Sequence, residues 1–205
     1  MFTLGLIGIL QACFLPGWLL SYAFPLRLGS RFLMSFPLSL IVNHYLVFGL
    51  AALGIYNPTM MNFILSLELL LLVTLAIRGS GQALKNFSPA DLFRERASVL
   101  LPLLGLAALH VLGKTFSYWL HGFGGGFREW DAVVSWNAWA TIWGQGRIPQ
   151  ETFEYPQLLP ITYSITYQFL RNFELQMFAK AIAGMFPLAG ILSLIASGFL
   201  WPRIS

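Results

Sequence analysis

The sequence predicts an all-α fold, a polytopic transmembrane helix bundle of about six spans with an interfacial amphipathic helix in an outer loop. Three observations predict it. Hydrophobic residues make up 57% of the 205 positions and charged residues 10%, against roughly 25% charged in a typical soluble domain. Apolar runs approaching the ~20 residues that cross a hydrocarbon core recur along the chain, and the mean hydropathy is +0.71. One polar island, residues 121–160, interrupts the pattern. It holds four of the eight acidic residues (Glu129, Asp131, Glu151, Glu154) and four of the seven tryptophans (Trp130, Trp136, Trp139, Trp143).

Residues 2–24 make the first span. They have no basic leading region and no small-residue cleavage site, so a retained helix fits better than a signal peptide. A short basic loop, 25–31, leads to a second span at 32–55, and Tyr56-Asn57-Pro58 turns the chain into a third at 59–77. The longest basic loop follows, 78–97, with Arg78, Lys85, Arg94 and Arg96 against Asp91 and Glu95. A fourth span, 98–118, delivers the chain to the island. Beyond Pro160 a short apolar helix reaches Leu170, residues 171–174 turn, and a last span covers 177–200. Basic loops stay on the cytoplasmic side, which places the N-terminus and the island outside, although Arg203 then falls outside as well. The same rule accounts for the pI near 9.5 without nucleic acid as a partner. Cys13 is alone, so no intrachain disulfide forms.

Within the island, Gly124-Gly125-Gly126 is a costly place for a helix, since each glycine is worth roughly 1 kcal/mol less than alanine. A short helix over 131–143 follows. Ala132, Trp136, Trp139, Ala140 and Trp143 recur on one face, while Ser135, Asn137 and Thr141 lie off it. Such a helix is expected in the interface with its tryptophans at headgroup level. Asp131 suits its N-cap. Glu129 is a second carboxylate that capping does not require, and two close carboxylates can share a metal or a proton, or tune one of the pair as a general base. Gly144 and Gly146 end the helix. Within the spans, Glu68 is costly and pairs most simply with His44, beside Asn43. His110 is expected at a helix contact, and Lys114 to snorkel outward.

The order Glu129-Trp130-Asp131, the helix with Trp136 and Ala140, and Tyr155-Pro156-x-Leu158-x-Pro160 resemble the first outer loop of the GT-C superfamily glycosyltransferases. These are the polytopic enzymes that use polyprenyl-phosphate sugars, such as the protein mannosyltransferases and aminoarabinose transferases. The stretch Glu174 to Gly184 is similar to the start of that family's next helix. The resemblance covers about half the chain, residues 100–200, and divides it into an N-terminal extension of three spans, 1–97, and the start of a GT-C-like module, 98–205. Family members continue through many further spans, so it matches an N-terminal part only.

The resemblance implies Asp131 as the counterpart of the family's catalytic acidic residue with Glu129 beside it, and Tyr155 and Pro156 flanking the donor phosphate. Arg147 is a further candidate for that phosphate, on the chemistry of its guanidinium, which binds phosphate bidentately. The resemblance also implies inverting transfer from a polyprenyl-phosphate sugar at the outer face of a bacterial inner membrane. Some such families hold a divalent cation on the leaving phosphate. No His/Cys cluster here demands a metal. Membrane lipid, the lipid-linked sugar and a second membrane subunit completing the fold are the expected partners. The alternative is a non-catalytic membrane subunit or truncated remnant acting through helix–helix contacts. A transporter reading rests on Glu68 and His44 alone.

Overall fold

The computed structural model describes residues 1–26, 28–79, 100–122, 125–152 and 154–200. Arg27, most of the basic loop at 78–97, Gly124 and Arg203 lie outside the described residues. Among those described, the chain is helical with no strand. In order, the elements are α1 (Phe2–Cys13), α2 (Leu15–Leu20), α3 (Leu28–Ala52), α4 (Pro58–Gly79), α5 (Leu100–Gly122), a π-helical turn (Ala132–Asn137) running into α6 (Ala138–Gly144), α7 (Leu158–Leu170) and α8 (Met177–Leu200). Among the described residues, three stretches are long and apolar enough to cross a membrane: Phe2–Ala23, Leu28–Ala52 and Pro58–Ile77. The chain is a membrane protein.

The first span is broken where the sequence suggests one helix. Phe14 takes φ −139° and ψ −54° between α1 and α2. The cause is Pro16, which has no N–H to donate and whose ring clashes with the carbonyl four residues back. α2 then lies against α3 with no room for a side chain. A Cβ on Gly17 would come within 2.0 Å of the Ser35 carbonyl oxygen, and the Gly17 N–H donates to Ser39 Oγ at 2.9 Å. Asn57 caps the start of α4, its Oδ1 accepting from the Met60 N–H at 3.0 Å, with Pro58 in the first helical position, where a missing N–H costs nothing.

The central element is α7. Every residue from Pro160 to Leu170 is buried. At 13 residues it is about 20 Å long, short of the ~30 Å hydrocarbon core. It is therefore a protein-enclosed helix and not a span. α1 reaches it through small residues, with a Gly8 Cβ position 3.0 Å from Thr166 Cα, the close backbone approach typical of membrane helices. Three of its hydroxyl side chains are satisfied within the helix. Thr162, Ser164 and Thr166 donate to the carbonyls of Leu158, Ile161 and Tyr163. The buried cluster joins Ala12, Val47, Met61, Trp143, Ile165 and Ile182, drawing on residues from both sides of position 97.

The loop between α3 and α4 and the tail of α6 share one end of the bundle. Gly146 has φ +75°, and a Cβ there would lie 2.8 Å from the Tyr56 carbonyl oxygen. Tyr56 in turn reaches into the core, its hydroxyl 2.9 Å from Ser164 Oγ.

Candidate functional site

The island folds back onto α7. The helix opens at Glu129, whose carbonyl oxygen accepts from the Val133 N–H at 2.9 Å, and its first full turns are π-helical, Ala132–Asn137. Asp131 makes no side-chain capping bond, which corrects the N-cap expectation. Its carboxylate Oδ2 instead accepts from the indole Nε1–H of Trp136 at 2.8 Å. Residues five apart lie on different faces of a regular α-helix with 3.6 residues per turn. The wider π turn, a feature that recurs at functional sites, brings the two onto one side.

Trp136 is also a corner of an aromatic cluster. Its ring centroid is 5.9 Å from that of Trp139 and 5.8 Å from that of Tyr155, and Trp139 and Tyr155 are 5.8 Å apart. Such pairs contribute about 0.5–1.5 kcal/mol each beyond their buried area. Tyr155 gets there because Glu154 sits in the left-handed region at φ 65° and turns the chain back toward the helix. The Trp139 indole N–H donates to the Glu151 carbonyl at 3.1 Å and pins the same loop.

The expectation of a tryptophan belt at headgroup level is corrected. Trp139 and Trp143 are 6% and 1% exposed, because protein covers them: Trp136, Tyr155 and the Glu151 loop lie against Trp139, and Trp143 sits in the buried cluster. Trp143 belongs to the core and donates its indole N–H to Gln157 Oε1 at 3.1 Å. Of the four tryptophans in the island, Trp130 stands free, 80% exposed. Asn137, expected off the packing face, is buried and accepts a hydrogen bond from the Tyr167 hydroxyl. The π turn again explains the change, since it rotates the following residues relative to a pure α-helical register. Burial holds the Tyr167 and Tyr56 phenols above the usual tyrosine range.

Of the five residues singled out in the sequence, the structure links Asp131 and Tyr155, through Trp136. The Glu129 side chain is exposed at the start of the same helix, and Pro156 is exposed beside Tyr155. Arg147 is exposed and donates to Gln145 Oε1. It lines a separate open cleft of about 940 Å³ with Ala51, Ser135, Trp139, Gln150 and Glu151. Trp139 is common to the cleft and the aromatic cluster. Among the described residues no group of three or more His, Cys, Asp or Glu side chains is placed to hold a metal ion.

Sequence reasoning missed Trp136 as the partner of Asp131. The spacing of five carries no helical signal, and only a Gly-rich start that permits an irregular first turn hints at it. The expected Glu68–His44 pair is also replaced. Glu68 accepts from Gln11 Nε2 at 3.1 Å, while His44 meets the ring of Tyr45 edge-on.

No protein-family model, no curated protein and no solved structure matches the chain.

Proposed function

We propose that this chain is a membrane glycosyltransferase, or the N-terminal part or subunit of one. It would use a polyprenyl-phosphate-linked sugar at the outer face of a bacterial inner membrane. One observation carries the reading: the exposed Asp131 carboxylate is oriented by the Trp136 indole beside the Trp136–Trp139–Tyr155 cluster. Aromatic faces accept the apolar face of a sugar ring. Asp131 Oδ1 and the unused lone pairs of Oδ2 are free to take a proton from an acceptor hydroxyl or amine. In the transfer, the acceptor atom bonds to the anomeric carbon, the carbon–oxygen bond to the phosphate breaks, and the lipid phosphate leaves with that electron pair. Arg147, across Trp139 in the adjoining cleft, offers a guanidinium for the phosphate oxygens.

Asp131→Asn tests this directly. It keeps the hydrogen-bond acceptor for Trp136 but cannot take up a proton. Sugar transfer from a polyprenyl-phosphate donor, measured on the chain with any subunit that completes it, should fall by about two to four orders of magnitude. Glu129→Gln should cost less. An Asp131→Asn protein that transfers at the normal rate ends the catalytic reading. The second reading, a non-catalytic membrane subunit, draws on α4, whose span is only 6% buried within the protein and so leaves a helix face for another chain.

A further inference from the structure

Glu68 lies at the middle of α4, inside the Pro58–Ile77 span. Among the described residues, its hydrogen bond comes from Gln11 Nε2 of α1 at 3.1 Å. Gln11 is fully enclosed, as is Asn43 of α3 (both 0% exposed). The Asn43 Nδ2 group donates to the carbonyls of Gln11 and Ala12 at 2.9 and 3.0 Å and locks α1 to α3 at the same level. Three buried oxygens in this group have no partner: Gln11 Oε1, Glu68 Oε2 and Asn43 Oδ1. All three are acceptors, so what the cluster lacks is hydrogen.

The charge count agrees. α2 and α7 pack on α4, and α1 supplies Gln11. None of these three helices carries a charged side chain. Their titratable groups are Cys13 on α1 and Tyr163 and Tyr167 on α7. Tyr56, between α3 and α4, and Tyr167 are committed to Ser164 and Asn137. On α3, Arg31 lies over the Tyr22 ring; His44 meets the Tyr45 ring edge-on, and its buried Nδ1 makes no hydrogen bond to Glu68 or to any other group among the described residues. No cation is supplied to Glu68 by the helices that enclose it, and an unpaired carboxylate in a membrane interior is strongly disfavoured.

We propose that Glu68 is a proton-binding site that clasps α4 to α1. One proton from water, bound to Oε2, turns that atom from acceptor into donor and supplies the missing hydrogen to Gln11 Oε1. The Gln11 Nε2–H bond to Oε1 remains, giving a two-bond acid–amide pair. No other bond is made or broken, and release returns the proton to water. The clasp matters because α4 is the least enclosed of the three candidate spans, 6% buried against 50% and 28%. This site is remote in sequence from Asp131 and does not depend on the glycosyltransferase reading.

The test is infrared spectroscopy of the full chain in lipid nanodiscs at neutral pH, with the glutamate carboxyl carbons isotopically labelled. The wild type should show a labelled carboxylic-acid C=O band that shifts on deuterium exchange and is absent from Glu68→Gln. Gln11→Leu should keep the band but move it to higher frequency, because the C=O loses its donor. Thermal stability should be near wild type for Glu68→Gln, whose amide still offers a donor and an acceptor, and lower for Glu68→Ala. Loss of an ionised-carboxylate band in Glu68→Gln, in place of the acid band, overturns the proposal. So does an acid band that Gln11→Leu leaves unmoved, since the clasp would then be absent. Sodium ions that stabilise the wild type but not Glu68→Gln would assign the site to a metal cation instead, and would also overturn it. If Glu68→Gln does not fold, the labelled wild type and Gln11→Leu decide the matter between them.

Discussion

Gly17→Ala probes the closest approach at any glycine among the described residues. The added methyl would lie 2.0 Å from the Ser35 carbonyl oxygen and 2.4 Å from the Ser39 backbone nitrogen. Both are main-chain atoms of α3, so relief requires the two helices to separate rather than a side chain to rotate. Overpacking of this kind costs about 1–3 kcal/mol. Separation also stretches the Gly17 N–H bond to Ser39 Oγ, 2.9 Å and buried, worth about 1 kcal/mol. Alanine returns up to ~1 kcal/mol through its better helix propensity. The net expectation is a loss of about 1–3 kcal/mol. Gly49→Ala is the control: it lies in α3 with nothing within 4 Å of the added Cβ, so it should be neutral or mildly stabilising. Thermal or SDS-induced unfolding of the purified chain measures both. Equal stabilities for the two variants would refute the close approach of α2 and α3 and the broken geometry of the first span that produces it.

Trp136→Phe removes the donor to Asp131 Oδ2 and keeps most of the ring contacts with Trp139 and Tyr155; stability should fall by about 1 kcal/mol, the worth of the lost hydrogen bond, while sugar transfer per folded molecule falls about tenfold, the equivalent of ~1.4 kcal/mol of lost orientation. Full activity in this variant would remove Trp136 from the site. Cysteines introduced at Leu53, 73% exposed, and at exposed Gln150 should react with an impermeant thiol reagent from the same side of intact cells, and from outside. Native Cys13 is buried and contributes no background. Reaction at only one of the two would break the shared end of the bundle, and protection of both would place the site in the cytoplasm. Burial raises the phenols of Tyr56 and Tyr167 above their unfolded value. Their contribution to stability is therefore complete below about pH 10 and declines as the pH rises past it, where the unfolded phenols ionise first. Absorbance titration should show these two phenols ionising together with unfolding, and smooth ionisation of every tyrosine in the folded protein would contradict their burial.

Composition and local pattern were sufficient for the all-α membrane class and for most helix limits. The last helix, expected at 177–200, is Met177–Leu200, and the third, expected at 59–77, is Pro58–Gly79. These features are local: a run of apolar residues long enough to cross hydrocarbon, a proline that cannot donate, an asparagine that caps. The polar island was visible for the same reason, as a local departure in charge and tryptophan content. Its internal geometry was not. Asp131 and Trp136 meet only because the helix opens with a π turn, and Tyr155 reaches the tryptophans only because Glu154 adopts a left-handed backbone. Gln11 and Glu68 are 57 positions apart, and nothing local to either chooses that pair over Glu68 and His44. The packing of α1, α3 and α4 does. α7 looks in sequence like one more apolar segment, yet it is the enclosed centre of the bundle, and Trp139 and Trp143 are covered by protein. A residue's own neighbourhood decides whether it is helical, but which face is covered, and by what, is decided by helices distant in sequence.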